Sequence, residues 1–322
     1  MDYEIVGFGS SILDITVKIE ESFLENNGLT KGNFSLINDA KSKELHKAII
    51  DLKTKESPGG SVSNTIAGAA LLGANAAYIG GLGTDDLGQI YKQKNLAVGV
   101  KDLFIEKKET STGECIACIT PDGERTFAVN LGGCNVIDAN EIKFDFKTKI
   151  MHIEGFKLEN ELEYGTATKL AEYTRSIGGK VSLDVNDAGV IARMGDKMGE
   201  FITAHVDILF MNETEAKALT GSDDEDSLDK FKCEIVILKI GEEGSVVKTN
   251  GQKYVIAPRF VENLVNTNGA GDAYEAAFLY GLVKEMNIEK VGELASEFAA
   301  NVVEVEEARL SSLNEKTTSL LK

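Results

Sequence analysis

The chain has 322 residues, of which 43% are hydrophobic and 27% are charged. That length allows one large α/β domain or two ordinary ones, and the composition supports a packed core and argues against disorder. Fifty-two acidic residues against 34 basic ones give a net charge of −18, which opposes DNA or RNA binding because nucleic-acid phosphates are repelled.

Two features bear on the cellular compartment. Apolar stretches such as 66–72 fall far short of the roughly 20 residues that a membrane-spanning helix needs, and the segment 1–4 lacks the basic and apolar regions of a signal peptide. We therefore expect no membrane partner and a cytoplasmic location.

The spacing of Cys115 and Cys118 would suit a redox or zinc site, but no histidine or second pair lies nearby, which favours buried, reduced thiols.

Short apolar runs alternate with longer stretches of helical spacing over most of the chain. The predicted buried strands are 5–9, 76–79, 150–153, 180–183, 208–211 and 235–238. The predicted helices are 63–72, 87–96, 161–175, 213–219 and 273–284. This alternation predicts a mostly parallel sheet with helices on both faces.

Two predicted hairpins interrupt this alternation. The first pairs 14–19 with 33–37, and the second pairs 113–120 with 125–130 through a turn that contains Pro, Asp and Gly. We interpret their strands as a small sheet at the edge of the main sheet, acting as a lid. Its strands are expected near residues 12–20, 33–38, 113–120 and 125–131. Because no repeat or low-complexity linker is present, we expect a single domain over residues 1–322.

The most informative segment is 265–279, which reads VNTNGAGDAYEAAFL. Gly269, Ala270 and Gly271 precede a helix, so its first amide hydrogens are free to point at an anion, and the helix dipole adds positive potential. Asp272 in the first turn is either a favourable cap or a base that accepts a hydroxyl proton. An anion cradle beside one carboxylate is what phosphoryl transfer to an alcohol requires. No lysine follows the glycines, which excludes the Walker-A arrangement.

This segment resembles the C-terminal signature of the ribokinase (PfkB) family, whose usual form is D-T-x-G-A-G-D. The resemblance implies that Asp272 is the catalytic base and that Gly269, Ala270 and Gly271 form an anion hole. It also implies a ribokinase-like three-layer α/β/α fold with a mostly parallel central sheet and a small β-sheet lid, with ATP and Mg²⁺ as cofactors. In many relatives the first acid of the signature helps to hold a monovalent cation. Asn266 stands there in this chain, which puts potassium activation in doubt.

A glycine pair before an asparagine resembles the N-terminal signature of the same family. Gly59 and Gly60 allow backbone conformations and close approaches that side chains forbid. The resemblance implies that they form the lid hinge and that Asn64 binds substrate hydroxyls, for which an amide offers a donor and an acceptor. It likewise places Asp14 and Ser10 at the substrate. The alternatives are an ordinary loop before a helix and a solvated turn carboxylate.

Two further segments resemble the nucleotide-binding side of the family. Asn212 and Glu215 match an N-x-x-E motif, which implies that Asn212 contacts phosphate and that Glu215 orders Mg²⁺ through water. The same two residues could be a helix N-cap and its capping box. Lys239, Gly241 and Gly244 resemble a loop that binds ATP, and a hairpin turn is the alternative there.

The substrate follows from weaker similarities. Segments 63–68, 120–126 and 278–282 are most similar to the adenosine-kinase-like branch, so adenosine is the first candidate and a free sugar such as ribose or fructose is the second. A non-catalytic nucleotide-binding regulator would lack the base, and a dinucleotide-binding oxidoreductase is rejected because its glycine fingerprint fails at Ile12.

Several features of the substrate side are left open by the sequence. A homodimer through an exposed lid sheet is one expectation. The divergent segment 305–309 does not reveal whether it forms a normal adenine pocket. Four aromatic residues near the lid are either core residues or rings that stack on a purine: Phe8, Phe34, Phe127 and Phe156.

Overall fold

A computed structural model describes residues 1–321. The strands are β1 Asp2–Phe8, β2 Ile12–Lys18, β3 Phe34–Leu36, β4 Thr54–Gly59, β5 Ala76–Ile79, β6 Gly81–Gly83, β7 Lys101–Asp102, β8 Ile105–Lys107, β9 Gly113–Ile119, β10 Arg125–Asn130, β11 Lys147–Glu154, β12 Lys180–Asp184, β13 Ile208–Asn212, β14 Ile235–Lys239, β15 Ser245–Thr249 and β16 Gln252–Ile256. The α-helices are α1 Glu21–Asn26, α2 Asp39–Ile49, α3 Ser61–Leu71, α4 Asp86–Ala97, α5 Glu161–Ser176, α6 Ala188–Met194, α7 Asp196–His205, α8 Glu213–Thr220, α9 Ala270–Val283, α10 Ile288–Val303 and α11 Glu315–Leu320.

The main sheet has nine strands in the order β16-β15-β14-β13-β12-β11-β1-β5-β7. All neighbours from β14 to β7 are parallel, and only β15 and β16 run antiparallel to their neighbours. The predicted mostly parallel sheet is therefore confirmed. Because β1 and β11 to β14 run in one direction, their carboxyl ends share one edge of the sheet, which is where open α/β folds bind ligands.

Helices cover both faces of this sheet, which confirms the three-layer α/β/α fold. On one face, Ile5 is buried in a core that also contains Ile66 of α3 and Phe298 of α10. On the other face, Val6 is buried in a core that contains Leu170 of α5. The alternation of Ile5 and Val6 follows from the period of two in a strand, since successive side chains point to opposite faces. Within residues 1–321 no helix combines the length and the apolar character needed to cross a bilayer.

A second sheet, which we call the lid sheet, has five strands in the order β3-β10-β9-β2-β4. It forms a separate sheet, so the expectation that it is added to the edge of the main sheet is wrong. β9 and β10 form the predicted hairpin, but β2 and β3 do not pair with each other. Instead β2 pairs with β9 and β4, and β3 pairs with β10. The sequence did not reveal β4, since its residues TKESPG lack apolar alternation and proline is confined to edge strands.

The two faces of the lid sheet differ. Ile15 of β2 and Ile116 of β9 pair in register and are buried in one core with Leu45 of α2. α2 also contacts this face through Ser42, whose hydroxyl hydrogen-bonds Glu114. This outer face is therefore covered by the chain's own helices. The expected lid-to-lid dimer rested on an exposed lid sheet, and only the opposite, inner face remains open.

Candidate active site

Five side chains stand at the carboxyl edge of the main sheet. Ser10 follows β1, and Glu154, Asp184, Asn212 and Lys239 end β11 to β14. Register pairs Glu154 with Asp184, and Asn212 with Lys239, so neighbouring strands present these groups side by side. The amino end of α9 lies across this edge. Polar side chains thus converge on the end of the sheet where parallel folds place their ligands.

Asp272 in the first turn of α9 is held by two residues of α3. Ser61 Oγ donates to Asp272 Oδ1 at 2.8 Å, and Asn64 Nδ2 donates to Asp272 Oδ2 at 2.9 Å. Burial raises the pKa of Asp272 to about 7, against the opposing effect of the Asn64 hydrogen bond. A carboxyl group with that pKa exchanges its proton near neutral pH, as a general base must.

The loop before Asp272 is shaped by glycine. Gly269 has a φ of 81°, and a Cβ added to it would lie 2.0 Å from the carbonyl oxygen of Ala308. Only glycine fits this position, because both the left-handed backbone and the close approach exclude a side chain. No side chain caps the helix that begins at Ala270. Ala270 N donates to the carbonyl oxygen of Thr267 at 3.3 Å, so of the three predicted amides those of Gly269 and Gly271 are available to an anion.

Asn64 was predicted to bind substrate hydroxyls, and the structure places it against Asp272. It is buried, and its Oδ1 has no hydrogen-bond partner among residues 1–321. One end of the amide thus supports the carboxylate, while the other end can accept a hydrogen bond from a hydroxyl group. This oxygen is the observation that keeps the substrate role of Asn64 open.

Asp14 lies on the inner face of the lid sheet, where it pairs in register with Ser57 of β4 and Cys115 of β9. A Cβ on Gly59 would lie 2.5 Å from Asp14 Oδ2, and a Cβ on Gly60 would lie 2.0 Å from the carbonyl oxygen of Ser10. The glycine pair thus lets β4 pass beside both predicted substrate residues. Burial raises the pKa of Asp14 to about 6, although the charge of the Arg309 guanidinium lowers it.

Ser10 is buried beside Glu154, and its backbone amide donates to Glu154 Oε2 at 2.9 Å. Glu154 is itself almost fully buried at the end of β11. The predicted neighbourhood of Ser10 therefore gains a carboxylate that sequence reasoning missed. The signal was available, because Glu154 directly follows a predicted strand, as Asn212 does.

Asn212 and Glu215 bond to each other at the start of α8. Glu215 N donates to Asn212 Oδ1 at 3.0 Å, and Asn212 N donates to Glu215 Oε2 at 2.7 Å, which is a complete capping box. The capping interpretation therefore holds in this structure. Burial and the charge of Asp184 raise the pKa of Glu215 to about 7.

The carboxyl edge also bears on the expected magnesium ion. No group of three or more His, Cys, Asp or Glu side chains in the described part of the chain is arranged to hold a metal ion. Magnesium keeps several waters and is bound by one or two carboxylates together with substrate phosphates. The buried carboxyl of Glu215, near the charge of Asp184, has the donor chemistry for an ion that arrives with ATP.

Lys239 lies under residues 269–271, the loop predicted to form the anion hole. Its ammonium is paired with Glu275 of α9 and lies 3.5 Å from Asp184 Oδ1. Burial alone would lower the pKa of Lys239, but the charges of Asp184 and Glu275 outweigh it and hold that pKa above its usual range. A Cβ on Gly271 would lie 3.4 Å from Lys239 Nζ. A permanent positive charge thus sits behind the amides that begin α9.

Gly241 and Gly244 belong to the short connection between β14 and β15, which are antiparallel. The hairpin interpretation of this loop is therefore correct in structure. Gly244 has a φ of 99°, and a Cβ there would lie 2.1 Å from the carbonyl oxygen of Ile256. A Cβ on Gly241 would meet nothing within 4 Å. Packing therefore requires a glycine at position 244, whereas the space beside Gly241 is open. ATP binding by either residue stays a prediction.

Asn266 uses its side chain within its own loop. Its Nδ2 donates to the carbonyl oxygen of Glu306 at 3.0 Å, and its Oδ1 accepts from Asn268 N at 3.1 Å. An aspartate could not make the first of these bonds, since a carboxylate only accepts. The Asn266 amide therefore bonds the loop to the segment after α10. It carries no negative charge, whereas the aspartate of the family signature would carry one that attracts a cation.

The four aromatic residues near the lid separate into two groups. Phe8 is fully buried and belongs to the core. Phe127 of β10 is half-buried, and Phe34 of β3, with which it pairs in register, is 62% exposed. Phe156 lies two residues after Glu154 and is 38% exposed. Three of the four rings are thus accessible to a ligand.

Sequence reasoning missed four other site residues. Ser61 lay inside a recognised motif, and Asp184 follows a predicted strand, so both could have been found. Glu275 lies one helical turn after Asp272, but its partner Lys239 comes from a distant strand. Arg309 carried no local signal. Its Nη1 donates to Asn95 at 3.0 Å, and its buried Nη2 has no partner among the described residues.

Comparisons with known proteins extend over nearly the whole chain. A family described as pfkB family carbohydrate kinase matches residues 35–316. The chain is 29% identical to adenosine kinase 2 of Arabidopsis thaliana over 332 residues, which cover 93% of each chain. It superimposes on adenosine kinase from Sinorhizobium meliloti with a TM-score of 0.83 at 29% identity, covering 98% of both chains. A probable sugar kinase from Rhizobium etli gives a TM-score of 0.84 at 27% identity, covering 98% of this chain and 97% of the other.

Proposed function

Since the chain belongs to the pfkB family of carbohydrate kinases and is an ATP-dependent kinase, we propose that it transfers the γ-phosphate of ATP to a hydroxyl group of a nucleoside. Adenosine is the first candidate. Adenosine kinases from Arabidopsis thaliana and Sinorhizobium meliloti are among its relatives. The observation that carries the choice of a nucleoside is the character of the inner lid face.

On the side of Asp14 that faces β9, β10 and β3, the inner face carries apolar side chains. Asp14 pairs in register with Cys115, which pairs with Val129, which in turn pairs with Leu36. Leu36 is 66% exposed. Two positions earlier on the same two strands, and so on the same face, Phe127 pairs with Phe34. A free pentose or hexose presents hydroxyl groups on every side, whereas a nucleoside presents a polar ribose and a flat base that packs on apolar and aromatic surfaces. One carboxylate beside a broad apolar surface fits the nucleoside.

The catalytic step assigns each predicted residue a task. Asp272 accepts the proton of the acceptor hydroxyl. The hydroxyl oxygen bonds to the γ-phosphorus of ATP while the bond between that phosphorus and the leaving ADP breaks. Ser61 and Asn64 orient the carboxylate of Asp272. The amides of Gly269 and Gly271, and that of Ala270 once it leaves the carbonyl oxygen of Thr267, stabilise the charge on the transferred phosphoryl group. Mg²⁺ held near Glu215 would neutralise phosphate charge.

The remaining substrate assignments follow from position. Asp14 and the unpartnered Oδ1 of Asn64 would accept hydrogen bonds from two neighbouring hydroxyl groups, with Ser10 close by. Gly59 and Gly60 join the lid strand β4 to α3, so a rotation there would carry Asp14 over the acceptor. Asn212, Lys239, Gly241 and Gly244 lie on the ATP side.

A free sugar is the second candidate, because the Rhizobium etli relative is described as a probable sugar kinase. A regulator that binds nucleotide without catalysis is disfavoured, since Asp272 is present with both of its supporting residues.

A coupled assay of ADP release over adenosine, other nucleosides, ribose and fructose tests the proposal. We expect turnover with adenosine, and Phe127→Ala should raise the KM for adenosine by roughly tenfold, since stacking on an aromatic ring is worth about 1–3 kcal/mol. Ile50→Ala removes an exposed apolar side chain away from the inner face and should leave that KM unchanged. Turnover of ribose or fructose with inert adenosine would replace the nucleoside with a sugar.

A further inference from the structure

A buried ion pair lies beneath the anion-hole loop. Glu275 is one helical turn after Asp272 on α9 and is fully buried. Its Oε1 accepts a hydrogen bond from Lys239 Nζ, which also lies 3.5 Å from Asp184 Oδ1. The same ammonium is 3.4 Å from the position of a Cβ on Gly271. Two carboxylates therefore hold it directly behind the loop.

The other oxygen of Glu275 is fixed as well. Glu275 Oε2 lies 3.3 Å from Nε2 of the fully buried His152 on β11, and neither atom has a hydrogen-bond partner among residues 1–321. His152 Nδ1 lies 3.0 Å from Ser182 Oγ. One hydrogen placed between Glu275 Oε2 and His152 Nε2 would give each of these two atoms a partner. The Glu275 side chain thus cannot rotate without breaking a contact at each oxygen.

The protonation of this pair agrees with the geometry. Burial lowers the pKa of His152 to about 4 and, with the charge of Asp184, raises the pKa of Glu275 to about 8. Near neutral pH the imidazole is neutral, so His152 places no positive charge beside Glu275 that would compete with Lys239. The oxygen that faces Lys239 accepts in either protonation state.

We infer that Glu275 is a positioning residue that holds Lys239 beneath Gly271, so that the ammonium adds a fixed positive charge behind the phosphate-binding amides. The inference rests on the proposed function, because it requires phosphate at that loop. A lysine side chain is flexible and strongly hydrated, so a charge that must act at one place needs anchors. Preorganised charge in a dry site costs no reorganisation during the reaction.

Single variants separate this role from a purely structural one. Lys239→Met should lower kcat/KM for ATP by roughly 10²-fold, the loss seen when one preorganised stabilising group is removed. Glu275→Leu should cause a similar loss, because the ammonium keeps only Asp184. Glu275→Gln should remain near the wild-type value at pH 7, since its amide oxygen accepts from Lys239 and its NH₂ donates to His152. A role in stability alone would not give this pattern.

The double variant Lys239→Met/Glu275→Leu is decisive. If Glu275 acts through Lys239, kcat/KM for ATP should equal that of Lys239→Met alone. Multiplied effects, or a folded Glu275→Leu variant with wild-type kcat/KM, would overturn the inference. If Glu275→Leu does not fold, the double variant still decides, because replacing a whole buried pair by apolar groups is tolerated better than removing one partner.

A second buried ion pair provides the control. The side chains of Lys157 and Glu163 are 1% and 0% exposed, against 16% and 0% for Lys239 and Glu275, and their atoms approach to 3.3 Å. Their other hydrogen bonds are to Cys134, Ile137 and Asn160 rather than to the residues of the candidate site. Glu163→Leu should lower Tm while leaving the kinetic constants of the folded fraction unchanged. Calorimetric titration with ATP and Mg²⁺ measures the ATP affinity of the same variants in the absence of an acceptor substrate. An enzyme inactive on every nucleoside would then contradict the proposed function, and unchanged ATP affinity in Glu275→Leu and Lys239→Met would contradict the inference.

Discussion

At the scale of single residues, Asp272 illustrates how burial and hydrogen bonds set a proton affinity. Desolvation favours the neutral carboxyl, while Ser61 and Asn64 favour the charged form by donating to its oxygens. Burial prevails, and the resulting pKa of about 7 lies where a general base is most effective. The two donors also fix the direction in which the carboxylate points.

Replacement of Asp272, the proposed base, should remove turnover. We expect Asp272→Asn to lower kcat by about 10²–10⁴-fold while ATP affinity changes little, because the amides of the loop remain. In the wild-type enzyme, kcat/KM should rise with pH through about 7 and then level off, since only the ionised carboxylate accepts a proton. A flat profile between pH 6 and 8 would argue against Asp272 as the base.

Asp14 and Asn64 should enforce the presence of a vicinal diol. A carboxylate accepts from two hydroxyl groups, and the free Oδ1 of Asn64 accepts from one. A substrate without one hydroxyl leaves a buried polar group unpaired, which costs about 1–3 kcal/mol. We expect 2′-deoxyadenosine to lose about tenfold or more in kcat/KM relative to adenosine, and Asp14→Ala to reduce that ratio. Equal kcat/KM values for the two nucleosides in the wild-type enzyme would refute the diol role.

The side chain at position 266 should decide the response to monovalent cations. Asn266 is neutral and already bonds Glu306 and Asn268. Steady-state activity should change little when sodium or a bulky organic cation replaces potassium. Asn266→Asp is the matched variant, because it restores the acid of the family signature, and it should gain sensitivity to the cation. Strong potassium activation of the wild-type enzyme would show that backbone carbonyls suffice.

At the scale of elements, the sequence was informative where burial alone determines the pattern. The six predicted parallel strands all occur, because buried strands are continuous apolar runs. α10 was missed although Val291, Leu294 and Phe298 recur at helical spacing. β15 and β16 were missed for another reason, since their polar residues make sense only once their antiparallel pairing to β14 is known.

The candidate site was predictable to the extent that its residues lie in local motifs. Asp272, Asn64 and the glycine loops stand in short segments that the sequence displays. The contact between Glu275 and Lys239 joins residues 36 positions apart, and Arg309 meets Asn95 from 214 positions away. Such pairs depend on how the sheet brings its strand ends together, and a single sequence does not encode that in any local pattern.

Gly269 before α9 and Gly165 on α5 offer a matched pair of glycine substitutions. Gly269→Ala should destabilise the protein and abolish activity, because a Cβ would lie 2.0 Å from the carbonyl oxygen of Ala308 on a backbone with φ of 81°. Gly165→Ala on α5 should stabilise it by about 0.5–1 kcal/mol, since nothing lies within 4 Å and alanine favours a helix. Denaturant unfolding and the kinase assay measure both effects. An active, stable Gly269→Ala variant would contradict the assigned loop geometry.

At the scale of the whole molecule, acidic groups are concentrated where the ligand would bind. The chain already carries a net charge of −18, and several carboxyl groups of the crevice are buried near one another. Burial raises the pKa to about 6 for Asp14, to about 7 for Asp272 and Glu215, and to about 8 for Glu275. These groups store unfavourable electrostatic energy in the protein without ATP and Mg²⁺.

This arrangement makes the stability of the ligand-free protein fall with rising pH. Below about pH 4 these carboxyls are protonated in both states. Between there and their raised pKa values the folded state binds more protons than the unfolded state, so the free energy of unfolding decreases as pH rises. The lowered pKa values of His152 and His205 act oppositely, but mainly below pH 6.5. The decrease should therefore dominate from pH 6.5 to 8.5, the range in which Asp272, Glu215 and Glu275 ionise.

Calorimetry at constant ionic strength should show Tm falling by several degrees over that range, since each 1 kcal/mol lowers Tm by about 2–4 °C in a domain of 150–250 residues. Glu275→Gln should flatten the upper part of the curve, because its side chain keeps both contacts and cannot ionise. Glu289→Gln, at the exposed start of α10, is the control and should leave the slope unchanged. A Tm that rises from pH 6.5 to 8.5 would mean that the crevice carboxyls are ionised at lower pH than their burial dictates.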